Sequence, residues 1–152
     1  MSAIPQPDLS TRPHNAHAER WMPHPASRIY RAWTHEFDLW FAIPGTVVME
    51  PQPGQPFFFE TGFKPENAQK SERHPHYGRF LHLEPNRRIE ITWVTGNGGT
   101  EGAETVVTVD LAPENNGTRV KLAHRGFASA AAAEQHQKAW PLVLEQQEQR
   151  LT

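Results

Sequence analysis

Apolar and polar residues alternate along three consecutive segments in the second half of the chain, a pattern typical of β-strands with one buried face. The first segment spans residues 88–94 and places Trp93 on its apolar side. The same period recurs in residues 105–111 and 118–124, so His124 shares the inward face of its segment. These segments predict an antiparallel sheet that packs on one side only.

Other segments with a regular pattern come earlier in the chain. Four of them have the composition of short strands and cover residues 17–21, 46–49, 57–61 and 77–83. Residues 26–33 carry apolar side chains at helical spacing, and Thr34 is placed as the N-cap of a second short helix. Residues 64–73 are polar and predict a loop, and the glycine-rich residues 96–102 predict a turn.

The chain ends in a segment that predicts a long helix beginning near Ser129. Trp140, Leu144 and Leu151 fall on one face of this helix, and Pro141 predicts a kink because it removes a backbone hydrogen bond. A long terminal helix must cover one face of the sheet. The order of elements therefore predicts an α+β helix-grip fold. In it, a curved antiparallel sheet of about six to seven strands wraps on the C-terminal helix, with two short helices after the first strand.

Composition narrows the class of protein. The chain has 152 residues, no cysteine and a formal net charge of −2. The missing cysteines exclude disulfides and thiolate sites, and without a basic stripe nucleic acid is not expected as a partner. No segment is apolar enough to span a membrane, and we expect a cytoplasmic protein. The proline-containing residues 1–13 predict a flexible tail, which leaves residues 14–152 as one ligand-binding domain.

No motif assembles a nucleophile, a base and an orienting group, so the sequence predicts no catalytic residue, cofactor or metal site. His74 and His76 form a close pair, which we interpret as incidental because no third ligand is specified. For His124 two interpretations stay open. It is either a hydrogen-bonded histidine of the core or a histidine that contacts a ligand.

Several short strings carry a resemblance to a known family when taken in order. They include residues 29–34 (IYRAWT), 78–81 (GRFL), 88–93 (RIEITW) and 117–122 (GTRVKL), followed by Trp140. In this order they resemble the family of activator-of-Hsp90-ATPase homologues within the START-like (SRPBCC, polyketide-cyclase-like) superfamily. The resemblance implies a helix-grip fold with a central cavity. It leaves the chemistry open, because the superfamily includes lipid carriers, cyclases, hydrolase-like members and chaperone regulators.

We predict a mostly apolar cavity between the sheet and the last helix, with five residues as its ligand-binding lining: Trp40, Phe59, Trp93, His124 and Trp140. Strand alternation selects two of them, Trp93 and His124, and helix spacing selects Trp140. Phe59 depends on the register of three consecutive phenylalanines. The alternative is that these rings only fill the core, and a cavity of about 300 Å³ or more would favour a binding site.

Three functions follow from these features. The first is binding of an apolar small molecule or lipid in the cavity. The second is a cyclase-, lyase- or hydrolase-like enzyme that uses a polar group of the cavity, such as His124, as general base. The third is a protein-interaction domain resembling a chaperone regulator, whose protein partner is unidentified and which a large exposed apolar patch would favour.

Overall fold

The computed structural model describes residues 4–63, 72–96 and 99–152, and these ranges contain seven strands and three helices. In chain order the elements are β1 (His14–Met22), α1 (Ala26–Thr34), α2 (Phe37–Trp40), β2 (Val48–Met49), β3 (Pro56–Phe63), β4 (Glu72–Glu84), β5 (Arg88–Trp93), β6 (Thr105–Glu114), β7 (Gly117–Phe127) and α3 (Ala130–Arg150).

The strands form one antiparallel sheet in the order β1-β7-β6-β5-β4-β3-β2. The long helix α3 lies against this sheet, and the two short helices follow β1. This arrangement confirms the predicted helix-grip α+β fold. Most of the predicted loop at residues 64–73 lies outside the described residues, although Glu72 and Arg73 already belong to β4. The predicted turn at 96–102 is described except for residues 97–98.

The predicted inward rows of β5, β6 and β7 are buried. Thr92, Val106 and Thr108 of the predicted outward rows are buried as well, so the sheet is covered on both faces at this point. Strand β4 does not keep this alternation along its whole length. Its register shifts between Phe80 and His82, so Phe80 and its neighbour Leu81 are both buried. Such a bulge places two consecutive side chains against apolar surroundings and breaks the two-residue period.

The two predicted helix caps have different outcomes. The Ser129 cap of α3 is confirmed, because its side-chain oxygen accepts a hydrogen bond from the amide of Ala132 at 3.1 Å. The Thr34 cap of α2 is wrong. Thr34 is the last residue of α1, where its hydroxyl donates to the carbonyl oxygen of Tyr30 at 2.9 Å, and α2 begins three residues later at Phe37.

Helix α3 is fixed along the edge strand β1. The amide side chain of Gln137 accepts a hydrogen bond from the backbone N–H of His17 at 2.8 Å and donates to its carbonyl oxygen at 2.7 Å. Farther along, Arg20 donates to Glu148 at 2.9 Å. The two Gln137 bonds satisfy backbone groups of an edge strand that would otherwise be unpaired. They also hold α3 to one side of the sheet and leave room between the helix and strands β3 to β5.

Residues 4–13 contact the domain at several points. Arg12 donates to the carbonyl oxygens of Gly126 and Glu104 at 2.8 and 2.7 Å, and Arg79 donates to the carbonyl oxygen of Pro5. The flexibility of residues 1–13 stays a prediction.

Candidate functional site

A cavity of about 590 Å³ lies in the room between the first half of α3 and strands β3 to β5. Its volume is well above the smallest that holds a small-molecule ligand. The lining side chains described for the helix are Gln135, His136, Ala139, Trp140 and Val143. Those from the sheet side include Phe41, Thr61, His74, Pro75, His76, Trp93 and Thr95.

Aromatic rings make up the deep walls of this cavity. The ring centroids of Trp93 on β5 and Trp140 on α3 are 5.6 Å apart, so these two rings bridge the sheet and the helix. Phe41, just after α2, lies 6.0 Å from Trp93 and extends the same wall. Such surfaces suit an apolar or aromatic ligand, because rings favour stacked and edge-to-face contacts at these separations.

His76 adds a polar group to this apolar wall. His76 on β4 is paired with Phe59 on β3, and the two rings stack with their centroids 4.8 Å apart. The Nδ1 atom of His76 lies 3.0 Å from the carbonyl oxygen of His74. Since a carbonyl oxygen only accepts, Nδ1 carries the proton of the neutral ring and Nε2 presents a lone pair. Burial lowers the pKa of His76 to about 4, so the ring is neutral at pH 7.

His136 on α3 is arranged in the same way. Its Nδ1 lies 2.8 Å from the carbonyl oxygen of Ala132, one turn earlier in the helix. This contact again puts the proton on Nδ1 and leaves Nε2 as an acceptor. Burial lowers the pKa of His136, although the bond to Ala132 opposes that shift. The cavity is therefore lined by two neutral imidazoles whose Nε2 atoms have no hydrogen-bond partner among the described residues.

His124 has both ring nitrogens engaged. Nδ1 accepts a hydrogen bond from the indole N–H of Trp140 at 3.0 Å, and Nε2 lies 2.6 Å from the hydroxyl oxygen of Thr105. That hydroxyl donates to the carbonyl oxygen of Trp93 at 2.5 Å, so it accepts from Nε2–H of His124. The ring is fully buried, and burial holds its pKa well below the ordinary value. His124 thus joins β7, β6, β5 and α3 as a hydrogen-bonded core histidine.

Charge is missing from the described part of the lining. None of its side chains belongs to a lysine, arginine, aspartate or glutamate. His74 also lines the cavity, and its Nε2 lies 3.7 Å from a carboxylate oxygen of Glu72. Among the described residues, no cluster of three or more potential ligands is placed to hold a metal ion.

A family model described as "Activator of Hsp90 ATPase homolog 1-like protein" matches residues 23–152, which is most of the chain. The chain belongs to this family. The match includes the described elements after β1 and the described residues that line the cavity. A comparison with curated proteins found no match.

Solved structures share the fold of this family member. Protein MLL2253 of Mesorhizobium loti is 24% identical, with 90% of this chain and 96% of that one covered and a TM-score of 0.69. Protein CV1439 of Chromobacterium violaceum is also 24% identical, with 88% and 94% covered and a TM-score of 0.71. DynU16, a protein of the dynemicin biosynthetic locus, is 16% identical, with a TM-score of 0.72. The alignment covers 91% of this chain and 47% of DynU16. At these identities the likeness extends to the fold alone.

The structure divides the five predicted site residues of this family member into two groups. Trp93 and Trp140 line the cavity. Trp40, Phe59 and His124 are buried behind it and are not among its lining residues. Trp40 donates its indole N–H to the carbonyl oxygen of Ala32 at 2.9 Å, and Phe59 supports His76 from behind. That any of the five binds a ligand stays a prediction.

Phe41, His76 and His136 are the ring-bearing lining residues on which the site depends most and which sequence reasoning missed. His136 precedes Trp140 by four residues, which places both on one helix face and was a usable signal. His76 was seen only as half of a chance pair with His74, because nothing in one sequence says which residue it faces across the sheet. Phe41 follows Trp40 directly, and the spacing did not show which of the two rings reaches the cavity.

No helix within the described ranges has both the length and the apolar character needed to cross a lipid bilayer.

Proposed function

We propose that this protein binds an apolar small molecule or lipid in the cavity between α3 and strands β3 to β5. The observation that supports the proposal is a cavity of about 590 Å³ with aromatic walls and no charged residue among its described lining. Burying apolar ligand surface contributes roughly 25 cal/mol per Å², and neutral walls impose no penalty for desolvating charge.

The predicted site residues have two roles in this proposal. Trp93 and Trp140 touch the ligand, since their rings line the cavity. The other three support lining residues from the layer behind: Trp40 stacks on Phe41, Phe59 stacks on His76, and His124 accepts the indole N–H of Trp140. The general-base function considered for His124 is not favoured, because neither of its nitrogens is available to accept a proton.

The described surface does not favour the protein-interaction alternative. Two of its large exposed apolar side chains, Val48 and Tyr77, lie on either side of Phe58 across strands β2 to β4, and the other two, Leu39 and Leu142, belong to helices. A row of three side chains is small beside the apolar patches of several hundred Å² that mark interfaces. The proposal also includes a cytoplasmic location and no nucleic-acid partner, which rest on composition and charge.

Titration with Nile red, a neutral apolar fluorophore, tests this function. We expect a saturable rise in its emission with the purified protein. Ala139→Phe puts a ring into the cavity from its helix side and should weaken binding about tenfold or more. Leu142→Phe is the matched control, because Leu142 is on the same helix, is 67% exposed and does not line the cavity.

Two results would contradict the proposal: no saturable binding, or equal loss in the Ala139 and Leu142 variants. Native mass spectrometry of freshly purified protein complements the titration, because a co-purified small molecule would identify the natural ligand directly.

A further inference from the structure

Two of the histidines that line the cavity, His76 and His136, each present a ring nitrogen as a hydrogen-bond acceptor beside the aromatic walls. His76 comes from the sheet and His136 from the helix, so the two imidazoles belong to different elements. Each donates its Nδ1 proton to a backbone carbonyl of its own element, at 3.0 and 2.8 Å. This fixes the position of the proton without help from a ligand.

The remaining ring nitrogen of each histidine has no protein partner among the described residues. Buried polar groups in proteins are normally hydrogen-bonded, so an acceptor beside a cavity is available to what enters it. His76 is held rigidly for this purpose, because it stacks on Phe59 and meets Trp93 edge-on at 5.1 Å. A fixed acceptor loses little conformational freedom when it binds a donor.

We infer that the Nε2 atoms of His76 and His136 form a recognition site for hydroxyl donors, and that this cavity selects neutral aromatic alcohols or phenols over carboxylates of the same shape. The inference rests on the proposed ligand-binding function and specifies its ligand class. Trp93, Trp140 and Phe41 would hold the aromatic body of the ligand, while the imidazoles accept hydrogen bonds from its hydroxyl groups.

Two features of the lining disfavour a carboxylate: it offers no lysine or arginine among its described residues, and it presents the lone pairs of two imidazoles. A buried carboxylate would find neither a lysine nor an arginine as its counter-ion among those residues. The two Nε2 lone pairs would also face the carboxylate oxygens with like partial charge. Either imidazole would need a proton to help, and burial has lowered the pKa of both.

Three naphthalene ligands test this selectivity by calorimetry near neutral pH. 2-Naphthol carries a donor, 2-methoxynaphthalene carries none, and 2-naphthoate is an anion. We expect the naphthol to bind much more tightly than the naphthoate. In the double variant His76→Phe with His136→Phe, the affinity ratio of naphthol to methoxynaphthalene should fall about two- to tenfold, which is what one lost neutral hydrogen bond produces.

The matched control is His82→Phe, because His82 is exposed on the same strand as His76 and does not line the cavity. It should leave all three affinities unchanged. If the double variant unfolds, the single variant His136→Phe replaces it, since His136 is only partly buried.

The selectivity is overturned if naphthoate binds as tightly as naphthol, or if the naphthol ratio is the same in wild type and in the folded variants. If none of the three ligands binds, the proposed function fails with it. If methoxynaphthalene binds and the ratio does not change, the cavity binds ligands but the histidines do not select them.

Discussion

Two kinds of histidine lie between the sheet and α3 of this protein, and they differ in what their second nitrogen does. His124 uses both nitrogens to connect strands to α3, whereas His76 and His136 use one each and leave the other beside the cavity. All three have lowered pKa values for the same reason, which is burial. The perturbed pKa therefore does not separate a structural histidine from a candidate recognition group, but the count of hydrogen bonds does.

Gln147 on α3 shows that an unpaired group alone is also insufficient. Both amide atoms of its side chain are buried without a hydrogen-bond partner in the part of the chain that the structure describes, and so is the indole nitrogen of Trp33. Gln147 is not among the described lining of the cavity. A candidate recognition site thus needs a polar atom without a hydrogen-bond partner and also a cavity beside that atom. His76 and His136 meet both conditions.

The largest effect is expected at Trp140, which belongs both to the hydrogen bonds of His124 and to the cavity wall. Trp140 donates to His124 and also lines the cavity. Trp140→Ala removes a buried ring that is 3% exposed, and we expect it to lower the free energy of unfolding by about 3–5 kcal/mol. Urea denaturation measures this loss, and an unchanged midpoint would mean that α3 is not part of the core.

A smaller change isolates the structural histidine. Thr105→Val keeps the shape of the side chain but removes the oxygen that accepts from His124 Nε2–H. Leaving this donor buried and unpaired should cost about 1–3 kcal/mol, because its desolvation is no longer compensated. Nile red affinity should stay near that of wild type. A loss of binding without a loss of stability would place His124 in the ligand site instead.

Acid should reveal the cavity histidines through their effect on stability. The unfolded chain binds protons below the ordinary histidine pKa of 6.5, whereas folded His76, with a pKa of about 4, binds them only at lower pH. Stability therefore falls as the pH drops from about 6.5 towards 4, by at most about 1.4 kcal/mol per pH unit for this residue. In the variant His76→Phe the free energy of unfolding should fall less steeply between pH 6.5 and 4, because the contribution of His76 to the slope is gone. Parallel curves for wild type and variant, from urea melts at several pH values, would contradict the assignment.

The smallest effect, and the only gain, is expected at Gln147. Gln147→Met replaces a buried amide that has no partner with an apolar side chain of similar length. We expect the protein to become about 1 kcal/mol more stable, because a desolvation penalty disappears. Thermal denaturation measures the gain. A clear loss of stability would show that the amide of Gln147 makes hydrogen bonds in solution and stabilises the fold, as the ring of His124 does.

The fold was predictable because its signals are periodic. Alternation in β5 to β7 determined the buried face, and Ser129 marked the start of α3 correctly. The bulge at Phe80 was not predictable, since a register shift depends on the partner strand. The end of α1 was missed for a local reason: a threonine hydroxyl can cap the helix that follows or bond back to a carbonyl one turn earlier, and Thr34 does the second.

A residue of the candidate site was predictable only where the pattern within a single strand or helix determined which way its side chain faces. Strand period and helix spacing placed Trp93 and Trp140 at the sheet–helix interface, where both line the cavity. His76 depends on the pairing of β3 with β4, and the outcome for His124 depends on a hydroxyl from another strand. Such contacts are long-range, and no local pattern in the sequence carries them.

The difference between the two kinds of histidine can be measured directly as the position of the ring proton. Long-range ¹H–¹⁵N correlation spectra of the labelled protein at neutral pH distinguish the two neutral tautomers from each other and from the charged ring. We predict the proton on Nε2 in His124 and on Nδ1 in His76 and His136, with only the latter two Nε2 resonances shifting when 2-naphthol is added. A proton on Nδ1 of His124, or on Nε2 of either cavity histidine, would contradict the account.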